Sequence, residues 1–103
     1  MASEGFEALA ARIRELSGRM QAAAEAGEWE ALPQLAETRG RLFDRLAVPD
    51  QDREALRALL EETLAADLLL RELAQKARDE IAERLRELAR ARRGAAAYAA
   101  ESK

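Results

Sequence analysis

The residues that carry chemistry in most enzymes are missing from this chain. It has no histidine and no cysteine. The side chain that exchanges protons near neutral pH is therefore absent, as are thiolate nucleophiles, thiolate metal ligands and disulfides. The serines are Ser3, Ser17 and Ser102, with no imidazole to activate any of them. No glycine-rich phosphate loop, zinc spacing or EF-hand pattern occurs. Carboxylates are plentiful, but a di-metal helical bundle would need Glu-x-x-His pairs. The chain reads as a non-enzyme with no metal, no cofactor and no small-molecule substrate. Binding, scaffolding or regulation remains.

The elements that must present a binding surface follow from composition. Twenty-five alanines and 16 leucines stand against one valine, two isoleucines and two threonines. Ala, Leu, Glu and Arg lose little side-chain freedom in a helix, whereas strands draw on the β-branched and aromatic residues that are scarce here. The fold class is all-α. At 103 residues the chain is expected to form a single helical domain over 1–103. Its core is expected to be thin, because alanine buries little area and the aromatics are Phe6, Trp29, Phe43 and Tyr98.

Phe6, Leu9, Ile13, Leu16 and Met20 recur at spacings of three and four and continue into Ala23 or Ala24. That is one buried face of a helix over about 3–26. Ser3 is its expected N-cap, and Gly27 stands where a helix C-terminus favours a left-handed residue. A second helix over about 28–47 carries Trp29, Leu32, Leu35, Ala36, Leu42, Phe43 and Leu46, with Arg39 where an apolar residue would be expected. Pro33, in or just past the first turn, implies an irregular or later entry. Gly40 would let a neighbouring helix approach closely. The two helices form an antiparallel hairpin, and Trp29 pins the second against the first. Val48-Pro49-Asp50 ends the second helix, and Asp50 caps the next.

From Asp50 to Arg93 there are 44 residues without glycine or proline, ~66 Å as one helix at about 1.5 Å per residue. The hairpin helices reach about half as far. A long third helix is expected, either continuous or bent near Ala74 to Asp79 into a fourth, as helices over about 50–74 and 75–98. The result is a three- to four-helix bundle. Leu56, Leu59, Leu60, Leu64, Leu68, Leu70 and Leu73 cover a broad face with Thr63 and Asp67 inside it. A helix apolar on more than one side is sandwiched or has an exposed patch. Beyond Ala74 a cleaner seam follows: Ala77, Ile81, Leu85, Leu88, Ala95 and Tyr98. Gly94 reads as a fraying point or C-cap, and Tyr98 as a ring covering the bundle end.

The formal net charge is −3, which disfavours general nucleic-acid affinity. Residues 76–103 hold eight basic and five acidic side chains, but the signs are interleaved. Arg90, Arg92 and Arg93 therefore read as part of a solvated, paired face. No apolar run approaches the roughly 20 residues of a membrane span, and the start MASEGFEALAARIRE shows no signal-type apolar core. A cytoplasmic location is expected, without membrane insertion.

Certain positions carry a resemblance. Residues 20–27 read MQAAAEAG, followed by Glu28, Trp29, Glu30 and Leu32, then Leu35, Glu37, Arg39 and Leu42. Later come Leu64, Asp67 and Leu70, and a basic helix ending in Arg93, Gly94 and Tyr98. This ordered set, spread over nearly the whole chain, resembles the FliT family, the flagellar export chaperones of the filament-cap protein. Members commonly show a glycine, an acid and a tryptophan at the first turn. Pro33 and Gly40 depart from a helix that is usually more regular.

The resemblance implies a cytoplasmic bundle that binds the C-terminal segment of the cap protein and keeps it from assembling early. It also implies delivery to the flagellar type III export apparatus, with the export ATPase complex or export gate as a further partner. An apolar cleft for an amphipathic client helix would then come from Leu32, Leu35, Leu42, Phe43 and Leu46 together with Leu60, Leu64 and Leu68. Gly27 and Trp29 would be structural, and Gly94 and Tyr98 would belong to a regulatory tail; residues 74–102 either fold back, as a lid over the cleft, or swap with another chain or stay exposed. The alternative is a structural or regulatory adaptor without a flagellar client, a homodimer formed by a coiled coil over residues 74–98.

Overall fold

A computed structural model describes residues 5–46 and 52–101. Among these there is no strand. Helix α1 spans Phe6–Glu25, a 3-10 turn Trp29–Ala31, α2 Leu32–Asp44 and α3 Arg53–Glu101. The all-α hairpin followed by a long third helix is thus the observed architecture. The expected caps Ser3 and Asp50, and the break at Val48-Pro49, lie outside the described residues.

The first helix ends as its sequence dictates. Gly27 has φ +76°, the left-handed region that costs glycine nothing. The Glu28 amide donates to the Ala23 carbonyl at 2.8 Å and the Gly27 amide to the Ala24 carbonyl at 3.1 Å. This crossed pair satisfies carbonyls that a helix end otherwise leaves unbonded. Pro33 then has the effect expected of it. The chain first makes the short turn carrying Trp29, and α2 starts only at Leu32, with Pro33 in its first positions, where no amide hydrogen is required. The 3-10 turn touches both α1 and α2, and Trp29 is half-buried in it.

The core forms along the predicted stripe of α1. Leu9, Ala10, Ile13 and Leu16 cluster with Leu42 of α2 and Leu59 of α3, and Phe6, Leu35, Phe43 and Leu46 pack against them. Ile13 and Leu59 are fully buried. Burying such a side chain is worth about 1.5–3 kcal/mol, so this small group of leucines and one isoleucine holds three helices together. Gly40 does not mediate a close approach. No atom lies within 4 Å of the place its Cβ would take, because it is on the exposed side of α2.

The helix is not interrupted between Ala74 and Asp79, and α3 is a single 49-residue element rather than two. The reason is local: from Arg53 to Arg93 the chain offers helix formers without glycine or proline. Gly94 does not end it either, because the helix runs on to Glu101 through an alanine-rich stretch that offsets the cost of one glycine, about 1 kcal/mol. Tyr98 is 76% exposed and so covers no core. Contacts group the chain into two compact units, residues 1–73 and 74–103. Every buried residue among those described belongs to the first.

Candidate protein-binding site

Within the first unit, the broad leucine face of α3 divides in two. Leu59 points into the core, and Thr63 one turn on donates its hydroxyl to the Leu59 carbonyl at 2.8 Å. Leu60, Leu64 and Leu68 form a second row, spaced four apart and left 49%, 62% and 50% exposed. Three large aliphatic side chains in one row on a bundle that already has a core are not needed for folding. With Arg53, Leu56, Arg57 and Glu61, Leu60 and Leu64 line an open groove of about 280 Å³. Its lining is three leucines with two arginines and a glutamate beside them, an arrangement suited to an amphipathic segment.

The other expected cleft residues are divided by burial. Leu42 is 3% exposed and belongs to the core. Leu35, Phe43 and Leu46 are half-buried against it, and Leu32 is half-buried at the start of α2. The α3 row is thus the solvent-facing part of the expected surface.

A polar tie fixes the helices beneath it. Arg39 of α2 is 8% exposed. Its Nη2 donates to Asp67 Oδ1 at 2.9 Å and Oδ2 at 3.2 Å, and its Nη1 donates to Ser17 Oγ at 2.9 Å. One guanidinium therefore joins all three helices. Its rigid fork suits such a junction better than a lysine would. The sequence marks Arg39 and Asp67 separately, each as a polar interruption of an apolar face. Two opposite charges that both break such faces are candidates for each other, but only helix register brings them together. Ser17 has no such mark.

A second, more polar cavity of about 300 Å³ lies between α1 and α3, lined by Arg14, Ser17, Gly18, Gln21, Glu62, Thr63 and Ala66. Arg14 Nε donates to Glu62 Oε2 at 2.7 Å across it. That hydrogen bond raises the Arg14 guanidinium above its ordinary value. Among the described residues no buried side-chain nitrogen or oxygen lacks a hydrogen-bond partner, and no group of three acids gathers as a metal site would.

A helical hairpin clamped to a third helix, with an aliphatic row left outside, is the form of a protein-binding module. Residues 7–100 match the family described as Flagellar protein FliT, and the chain belongs to that family, which is one of flagellar export chaperones. No curated protein and no solved structure matches it. Among the described residues no helix is long and apolar enough to cross a membrane.

Proposed function

We propose that this chain is a cytoplasmic type III export chaperone for the flagellar filament-cap protein. It binds the C-terminal segment of that protein, prevents its premature assembly and delivers it to the export apparatus. The observation that carries this reading is the exposed Leu60/Leu64/Leu68 row in a chain of the FliT family. A client helix laid along it would bury aliphatic side chains at about 25 cal/mol per Å², and Arg53, Arg57 and Glu61 at the groove edge would set its register. Leu35, Phe43 and Leu46, which pack half-buried on the core cluster that contains Leu42, would extend the client surface onto α2.

Titration calorimetry with the cap protein's C-terminal segment tests the proposal. Binding at micromolar concentration or tighter is expected, falling at least about tenfold in Leu60→Ser/Leu64→Ser, because two exposed anchors are lost without disturbing the core. A folded chain that shows no binding to that segment, or a double variant that binds it as well as the wild type, would refute it.

A further inference from the structure

The second unit carries an apolar row of its own. Ile81, Leu85 and Leu88 follow at spacings of four and three, so they share one helix face, and they are 59%, 61% and 60% exposed. The charged residues nearest the row are all positive. Arg78 lies one turn before Ile81, Arg84 one turn after Ile81 and one before Leu88, and Arg92 one turn after Leu88. All three cations therefore stand on the apolar face or at its edge. Arg78, Arg84 and Arg92 make no ion pair among the described residues.

The nearby acids are turned elsewhere. Glu83 accepts from Arg86 Nε and Nη2 at 3.1 and 2.9 Å and from Arg90 Nη2 at 3.3 Å. Asp79 accepts from Gln75 at 2.9 Å. Glu80 and Glu87, one turn either side of Arg84, stand a step further round from the row.

We propose that this face is a second docking surface, whose occupant is an amphipathic helical segment of another protein with aliphatic anchors flanked by aspartate or glutamate. Charge complementarity selects that occupant. A second copy of the chain would bring Arg78, Arg84 and Arg92 against the same arginines, in parallel or antiparallel register, and like charges at close quarters oppose association. An anionic membrane surface would find only three large anchors, whereas interfacial helices have a wide apolar face; and the polar side balances Asp79, Glu80, Glu83 and Glu87 against Lys76, Arg86, Arg90 and Arg93, so it adds no net positive charge. The surface lies in the other unit from the Leu60/Leu64/Leu68 row and does not depend on the cap-protein reading.

The test is calorimetry of the full chain with two synthetic helical peptides. Both carry leucines spaced four and three apart, flanked by glutamates in one and by lysines in its twin. The acidic peptide should bind with an affinity that falls as salt rises, and the lysine twin at least about tenfold more weakly. The charge-reversed variant Arg78→Glu/Arg84→Glu/Arg92→Glu should invert the preference, and Leu85→Ser should weaken both peptides. Leu60→Ser/Leu64→Ser should leave acidic-peptide binding unchanged. All substituted positions are exposed, and unchanged far-ultraviolet circular dichroism verifies the fold.

The proposal is overturned by equal binding of both peptides, by acidic-peptide binding that survives charge reversal, or by loss of that binding in the Leu60/Leu64 variant. A concentration-dependent dimer abolished by Leu85→Ser would assign the face to a second copy instead. Binding to phosphatidylserine vesicles without peptide binding would assign it to a membrane.

Discussion

Arg39 shows how one side chain is shaped by competing costs. A guanidinium with a tenth of its side chain exposed is stable only while its partners stay in place. Asp67 is 41% exposed at the side chain, so solvent screens part of their attraction. We expect Asp67→Ala to cost about 1–3 kcal/mol in urea unfolding, because it strands the buried charge. Arg39→Met/Asp67→Leu should lie closer to the wild type, since it removes both charges. An Asp67→Ala protein as stable as the wild type would show that the tie is not structural.

Two glycines give a contrast at the same scale. Gly27 sits at φ +76°, and Gly27→Ala should cost about 1–2 kcal/mol through backbone strain alone, since no atom crowds its Cβ. Gly40 is helical and open to solvent, so Gly40→Ala should stabilise by about 0.5–1 kcal/mol. Thermal melts of the two variants should move in opposite directions.

For the helices, the legible parts were those set by local rules. The α1 stripe and the Gly27 stop follow from spacing and from φ, and both were readable. The delayed start of α2 was foreshadowed by Pro33, though the intervening 3-10 turn was not. The continuity of α3 was harder, because the sequence lacks a breaker but a helix longer than its hairpin invites a bend. Within α3, Glu83 offers a titration test. Hydrogen bonds from Arg86 and Arg90, and the charge of Arg86, hold its carboxyl below the usual glutamate range. A depressed folded value means that its stabilising contribution is fully present above the unfolded glutamate pKa and is lost as pH falls through the folded one. Carboxyl resonances followed by NMR should place Glu83 below the usual glutamate range, and Arg86→Gln should move it back up. Coincident titration in both proteins would remove the assignment.

At the scale of the whole molecule, the two units differ in what holds them. The first contains every buried residue among those described. The second is held by helix hydrogen bonds and side-chain pairs along one face. A chain ending at Leu73 should therefore keep a cooperative thermal transition. The isolated segment 74–103 should be only partly helical in water, because short helices without packing are marginal. Circular dichroism melts of both check this, and a non-cooperative melt of the shorter chain would contradict it. The exposed rows in the two units are the surfaces on which the proposed partners would act.

The sequence by itself determined the helical class, the stripe that makes the core, the glycine that ends α1 and the FliT resemblance. These depend on propensity, periodicity and ordered positions along the chain, all of which are local or additive. Tertiary structure decided which leucines were surplus and which polar interruptions were partners. Leu59 and Leu60 are adjacent, equally apolar residues. Only the placement of α3 against the hairpin sends one into the core and leaves the other in solvent. Arg39, Asp67 and Ser17 lie far apart in the chain, and only the register of three packed helices brings them within hydrogen-bonding distance.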